Sequence, residues 1–415
     1  MIQEISIENH LSIGECQTIS FVATSDKSHL DEVSVEVKPG LRLLRLLFLY
    51  GANASGKTNV LLSIQTVWYL LFRPQQEEHV PIPFYNPFAL RQGEPTRFRL
   101  VFWAMGRKYE YTVAYDEQRI LSEKMMYTTP AGVLSKLYER DAQGNITYGS
   151  TVGVKVNERH QLKSNTLPNH TVLSTLNKIS VDIPLMNELY QWIKQHVHTQ
   201  DEWEDIYAIA TEAQQNESLK KMIVGMLQRA DFNIVDFSPL QMELPESLRS
   251  EMSARGIDEE MFRRMFGRGQ VLFTHQADAT TFTIASSMES RGTLMYFRLA
   301  RMLSDLKTAE AVCVKDEIED SLNYDLMVHY LKLFLELENH TQLICTTHTR
   351  SLLSEDWMVR RDMVWITEKE NACAETRLVR VSDMGLHKNI SLENAYRIGK
   401  LGGLPRLGST LIRED

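Results

Sequence analysis

Gly51-Ala52-Asn53-Ala54-Ser55-Gly56-Lys57-Thr58 fills every fixed position of the pattern G-x-x-x-x-G-K-[ST]. Small side chains let consecutive backbone N–H groups curl around phosphate oxygens, and a following helix aims its positive end at them. In such a loop Lys57 reaches the β- and γ-phosphates of a nucleotide and the Thr58 hydroxyl ligates Mg²⁺. Gly51, Asn53, Ala54, Ser55, Gly56 and Asn59 complete the nucleotide-binding stretch. A chance glycine-rich turn has no reason to lie between an apolar run (residues 46–50) and a helix-competent stretch (residues 59–72), as this one does. The loop by itself does not separate a kinase from a GTPase, a motor or a switch.

Magnesium in a phosphate-loop site needs a carboxylate at the end of a neighbouring strand. The mostly apolar run Ala311-Val312-Cys313-Val314-Lys315 ends in Asp316-Glu317. That assigns Asp316 to the Mg²⁺ shell and Glu317 to orienting and deprotonating an attacking water. Lys315 departs from a strand apolar to its end, and Glu319 and Asp320 leave a plain acidic loop as the competing account. Leu343-Ile344-Cys345-Thr346-Thr347-His348 is another short buried-strand run, whose His348 can donate a hydrogen bond to a γ-phosphate. Ser290-Arg291-Gly292-Thr293 opens a helical pattern over residues 294–306. An N-cap explains the serine, but hydroxyl, glycine N–H and helix dipole together also make an anion site. Crowding prevents it from serving the same phosphates from the side of the phosphate loop, so a second subunit would have to bring it in.

These residues need strands and helices to hold them. Residues 1–40 alternate apolar and polar at Ile5, Ile7, Ile19, Phe21, Val33, Val35 and Val37, the period of half-buried strands. Residues 96–104 and 108–116 read as two further strands with a turn at Met105-Gly106-Arg107, and residues 141–145 as another turn. Between about 162 and 265 the texture is helical, with apolar spacings of three and four over 177–200, 202–214 and 217–229 and a charged helical segment at 244–266. Strand texture returns at 270–285. The expected domains are 1–150, the first half of a head carrying the phosphate loop; 151–270, a helical insertion lobe; and 271–415, the second half of the head.

The 415 residues are 43% hydrophobic and 24% charged, enough apolar material for two or three packed units. A formal net charge of −9 excludes a protein that lives on phosphate-backbone contacts, while leaving room for a local basic groove. No run is apolar long enough to cross a bilayer, and the first residues lack the blocks of a signal peptide. Four cysteines (Cys16, Cys313, Cys345, Cys373) lie far apart with no CxxC, which indicates neither a disulfide framework nor a zinc site. A cytoplasmic protein without membrane contact is expected.

Phosphate loop, Ser-x-Gly-Thr at a helix start, Asp-Glu followed by Ser321-Leu322-Asn323, and Thr347-His348, in this order, resemble the ABC-type ATPase heads of the SMC, RecF and OLD group. The sequence most resembles the OLD-like abortive-infection ATPases of the RloA, AbiL, PtuA and AriA kind. The resemblance is carried by the opening IQEISIENHLSI, the block at 95–125, DEIEDSLN, TTHTRSLL and the tail NAYRIGKLGGLPRL, and it covers roughly residues 1–126 and 284–407. It implies an α/β fold, an ABC-type P-loop head with an antiparallel N-terminal part in a mixed sheet and an inserted helical lobe. Ser290 and Gly292 become the signature that contacts ATP on the opposite protomer, Asp316 the magnesium carboxylate, Glu317 the catalytic base and His348 the switch histidine. Ser321, Leu322 and Asn323 form the loop at the dimer seam. Asn323 stands where many relatives have His, and His10-Leu11-Ser12-Ile13 replaces a commoner Phe-Arg-Ser-Phe. Asn86 and Gln92 are the polar residues nearest to a Q-loop position.

The resemblance also implies partners. Heads would dimerise, or assemble further, around ATP and Mg²⁺. With no Toprim nuclease block after the last ATPase strand, a separate effector, a nuclease or other toxin, would be controlled by this subunit in answer to a phage-derived trigger. The alternative is a RecF/SMC-like DNA-repair ATPase acting directly on nucleic acid through a groove drawing on Arg42, Arg45, Arg263, Arg264, Arg360, Arg361, Arg397, Lys400 and Arg406. A small-molecule kinase fits less well, because it needs no partner signature. An idle scaffold with structural ATP fits less well with a full Asp316-Glu317 pair.

Overall fold

The computed structural model describes residues 1–74, 77, 79–198, 205–240, 269–308, 310–369, 374–387 and 389–405. The charged segment at 244–266, with Arg263 and Arg264, lies outside the described residues, as does Arg406. The chain divides into two compact units, one of Met1–His198, Glu310–Ile318 and His340–Asp415, the other of Thr199–Ala309 and Glu319–Asn339.

Two large sheets and a two-stranded hairpin build the first unit. A seven-stranded sheet runs in the order Ile146–Tyr148, Leu134–Arg140, Ile120–Thr128, Arg107–Tyr115, Thr96–Ala104, Ile2–Glu8, Gln17–Ser20, each pair antiparallel. Its alternating sequence buries one face: Tyr109, Tyr111, Val113 and Tyr115 point inward from a single strand. The turn before that strand is two residues long, and Met105 and Gly106 both take positive φ (51° and 70°), the geometry that matches strand twist.

The second sheet has the order Val197–His198, Val312–Lys315, Gln342–Thr346, Leu46–Gly51, Val364–Lys369, Thr376–Arg380. Its first five strands are parallel and the last is antiparallel to its neighbour. Strands covered on both faces must be continuously apolar, and all six residues of Leu46–Gly51 are buried. The apolar run at 46–50 is this buried strand, and the preceding residues 41–44 form a separate one. Leu41–Leu44 forms a hairpin with Ser34–Lys38, and the chain changes sheet at Arg45, which is buried at the break.

Helix Lys57–Phe72 leaves the phosphate loop and is buried nearly all round, through Val60, Leu61, Ile64, Val67, Trp68, Leu70 and Leu71. A helix apolar on every side belongs between layers. Its Trp68 ring meets Phe102 of the antiparallel sheet edge-on at 5.2 Å, while its other face packs on the parallel strands. One continuous core results, running from Ile2 to Trp365.

The second unit, described by itself, holds helices Ile206–Gln215, Glu217–Arg229, Arg291–Thr308 and Tyr324–Leu335 and an antiparallel sheet of Ile234–Pro239, Val271–Ala277 and Thr280–Ala285. The mixed α/β head with an antiparallel N-terminal part is therefore present, but the lobe is helix plus sheet. The units are also cut differently from 1–150, 151–270 and 271–415. Residues 156–198 pack into the first unit because Leu162, Val172, Leu173, Leu189 and Ile193 join its core. The helix expected over 177–200 is Pro184–His196, with proline in its first turn.

Candidate nucleotide site

The phosphate loop leaves the buried strand Leu46–Gly51 and enters helix Lys57–Phe72 through Gly56, whose φ is 101°. A side chain there is strained in its own backbone and collides with Thr376. The Thr376 hydroxyl donates to the Ser55 carbonyl at 2.9 Å and shares a hydroxyl–hydroxyl bond with Ser12 Oγ at 2.8 Å, and Asn59 Nδ2 donates to Ser12 Oγ at 2.7 Å. Ser55 and Thr367 share a hydroxyl–hydroxyl bond beneath the loop. The loop is thus braced from the connection between the first two strands, from strand Val364–Lys369 and from strand Thr376–Arg380. Lys57 Nζ turns back to the carbonyls of Gly51 and Ala52 at 3.0 and 3.1 Å, while Asn53, Ala54 and Thr58 are exposed.

Parallel pairing brings the second half of the site alongside. Strands Gln342–Thr346 and Val312–Lys315 lie first and second from the phosphate-loop strand, so their C-terminal ends open at its edge. Thr58 Oγ1 donates to Asp316 Oδ2 at 2.8 Å. Two hard oxygens at that separation match adjacent ligands of an octahedral Mg²⁺, about 2.9 Å apart for bonds of about 2.0–2.1 Å. Magnesium takes few protein ligands and keeps its waters and phosphates, so this pair fits it. Glu317 is exposed and has φ of 47°, an uncommon conformation held by tertiary contacts. The holding contact is Thr346: its Oγ1 accepts from Glu317 N at 2.7 Å and donates to Asp316 Oδ1. His348 follows two residues later, exposed, on a segment tied to the phosphate-loop strand by Thr347 N to Leu49 O at 3.2 Å. Lys315, the apparent misfit, is buried at the strand end.

Several residues escaped the sequence reading. Thr346 is visible there only as part of a polar cluster. Gly402 and Gly403 take φ of 73° and 68°, and a Cβ on Gly403 would stand 3.3 Å from Gly51 Cα; the glycine pair in the tail was the available signal. His10 is a structural tie. Its ring nitrogens contact Ser63 Oγ at 2.8 Å and the Phe84 carbonyl at 3.0 Å, and burial pushes its pKa down to about 4.

Ser290 and Gly292 belong to the second unit. Ser290 Oγ accepts from Thr293 N at 3.0 Å and so caps helix Arg291–Thr308. A Cβ on Gly292 would lie 2.8 Å from the Ser321 carbonyl, so the helix start and the 321–323 loop adjoin there through glycine. Asn323 caps helix Tyr324–Leu335 through Leu326 N. Of the polar residues near a Q-loop position, Asn86 accepts Leu11 N through its carbonyl at 2.6 Å, and Gln92 is exposed. Among the cations considered for a nucleic-acid groove, Arg45 and Arg360 are buried, and Arg360 pairs with Asp362 at 2.7 Å.

The family model described as "AAA domain, putative AbiEii toxin, Type IV TA system" matches residues 46–354. Among curated proteins no sequence matches. Solved structures similar to the chain include an SMC head domain from Thermotoga maritima, 15% identical, covering 92% of this chain and 98% of that one with a TM-score of 0.40. Another is an Smc head bound to the C-terminal winged-helix domain of ScpA, 14% identical, covering 95% and 99% with a TM-score of 0.42. A third is an Smc head with an extended coiled coil bound to the C-terminal domain of ScpA, from Pyrococcus furiosus, 14% identical, covering 96% and 98% with a TM-score of 0.39.

Proposed function

The chain belongs to the AAA-domain family whose model it matches over residues 46–354, and from that premise we propose that it binds and hydrolyses ATP as the ABC-type head of a two-part bacterial defence system. The supporting observation is the 2.8 Å approach of Thr58 to Asp316 across two strands, with Glu317 next in the chain. When bound, ATP supplies the phosphoryl group and Mg²⁺ neutralises its oxygens. Lys57 exchanges the carbonyls of Gly51 and Ala52 for β- and γ-phosphate oxygens, while Thr58 and Asp316 hold the metal. The Glu317 carboxylate orients a water and takes its proton as the water oxygen bonds to the γ-phosphorus and the bond to ADP breaks. His348 donates to the γ-phosphate. Gly51, Asn53, Ala54, Ser55, Gly56 and Asn59 contribute the cradle. Ser290 and Gly292 of a second copy close on the nucleotide, making the active form a dimer or a higher assembly.

The family's description refers to type IV toxin–antitoxin systems, which supports membership of a two-part system; the finer reading, carried by the sequence resemblance alone, is a cytoplasmic subunit of an abortive-infection system that answers a phage-derived trigger and controls a separate nuclease or other toxin. No helix among the described residues is long and apolar enough to cross a membrane. Where a neighbouring gene encodes a toxin candidate, coexpression with this subunit should suppress its toxicity until infection; toxicity indifferent to this subunit removes the effector role. Duplex DNA should leave the ATPase rate unchanged, and a salt-sensitive rise would favour direct action on DNA.

Lys57→Ala should weaken ATP binding by about 10–100-fold, since a hydrogen bond to a charged group contributes about 1.5–3 kcal/mol. Titration with a fluorescent nucleotide checks it, and an unchanged affinity sinks the phosphate-loop assignment. Thr346 is a positioning residue. Thr346→Val should lower kcat by about 10–100-fold and raise the Mg²⁺ concentration needed for half-maximal rate, because Asp316 and the Glu317 N–H each lose a partner. Thr346→Ser should restore both. A loss that serine fails to rescue would make the role one of packing.

A further inference from the structure

At the outer end of the antiparallel sheet lies a cavity of about 280 Å³, remote in sequence from the phosphate loop and lined by Arg119, Arg140, Gln143, Lys163 and Thr166 among others. None of its lining residues is acidic. The three cations come from three elements: the turn at 116–119, the last residue of strand Leu134–Arg140 and the last turn of helix Val156–Asn165. We propose that this cavity is an anion site that takes a phosphate group, carried either by a nucleic-acid end or by a small phosphate ester.

Arg140 carries the argument. Its Nη atoms donate to the carbonyls of His170 and Leu167, and its buried Nε has no hydrogen-bond partner. Three carboxylates lie near the cations, and none neutralises the wall in full. Asp116 is 3.8 Å from Arg119 in an exposed pair, where attraction is weak. Asp141 is engaged by the N–H groups of Gln143 and Asn145 and by the Asn145 side chain at 2.9–3.0 Å. Glu123 attracts Arg140 electrostatically, and burial raises its pKa to about 7, so near neutrality it is only partly ionised. A buried guanidinium is stable only when its charge is met, and an anion in the cavity meets it. Lys163 gives one N–H to Asn145 Oδ1 at 3.0 Å, and an ammonium has three. The volume suits a phosphate with a short organic stem, and lies just below the range of about 300–1,000 Å³ that holds drug-sized molecules.

Inorganic phosphate, compared with chloride at equal ionic strength, tests the site by thermal unfolding of the full chain. The Lys57→Ala background removes binding at the phosphate loop. In that background phosphate should raise the Tm, and adding Arg119→Ala with Lys163→Ala should abolish most of the rise, while Arg119→Lys with Lys163→Arg keeps it. Both residues are outside the hydrogen bonds that hold Arg140, so the double variant should fold. A rise undiminished in the double variant overturns the proposal, since phosphate would then act only by exclusion from the surface. Fluorescence anisotropy of single-stranded DNA with and without a 5′-phosphate separates the two sources. A preference for the phosphorylated strand, lost in the double variant, assigns the site to nucleic-acid ends. A phosphate-dependent Tm without that preference assigns it to a small phosphate ester.

Discussion

Glu317→Gln is expected to cut ATP turnover by about 10²–10⁴-fold, the range that a positioned general base contributes, while leaving ATP affinity unchanged. Glutamine keeps the size and hydrogen-bonding reach of glutamate and loses only the proton acceptor. The backbone at 317 has φ of 47° and its N–H is fixed by Thr346 at 2.7 Å, neither of which depends on the carboxylate. The effect should therefore fall on kcat alone, the signature of an interaction made only in the transition state. Trapping before hydrolysis should also hold two heads together, so light scattering should find an ATP-dependent dimer in the variant. Normal turnover removes Glu317 as the base. Slow turnover by a monomer leaves the base in place but removes the two-headed arrangement.

Much of that site was legible because its chemistry is written in contiguous motifs. Eight residues specify the phosphate loop, and a buried strand ending in Asp316-Glu317 can serve only where parallel strands end together. What the sequence hid depends on pairing between distant residues. Thr346 gains meaning once its strand lies between Val312–Lys315 and Leu46–Gly51, because one hydroxyl then touches both members of the acidic pair. Gln342 shows the same for the fold: its side-chain amide donates to the carbonyls of Ile2 and Leu44 at 2.9 and 3.0 Å. A buried glutamine in an apolar run looks like noise until three remote strands meet on it.

The helical texture of the middle misled in a further way. Periodicity reports which residues are apolar at helical spacing, not which core receives them. The helix Pro184–His196 satisfies its apolar stripe on the first unit through Met186, Leu189 and Ile193, so the boundary falls near 198 rather than 150. The strands Ile234–Pro239 and Val271–Ala277 pair across the intervening segment, a contact that no local pattern announces.

Two buried titratable groups should give the first unit opposing pH dependences that nearly cancel. His10 titrates at about 4 in the folded chain against an ordinary 6.5, because burial disfavours the imidazolium. Glu123 titrates at about 7 against an ordinary 4.5; burial outweighs Arg140 and the donors Val172 N, Tyr138 and Tyr111. Stability rises with pH wherever the unfolded chain binds more protons. For His10 the unfolded chain holds the extra proton between pH 4 and 6.5, so stability falls on acidification across that window. For Glu123 the folded chain holds it between 4.5 and 7, so stability falls as pH rises. Each effect amounts to about 3 kcal/mol over its window, at about 1.4 kcal/mol per pH unit. Relative to wild type, His10→Phe should lose stability steadily from pH 4.5 to 6.5, and Glu123→Gln should gain it over the same range. Urea unfolding at half-unit pH intervals measures both, and groups common to all three proteins drop out of the differences. Curves that stay parallel to wild type would place both groups at their ordinary pKa values and remove burial as the dominant influence on either.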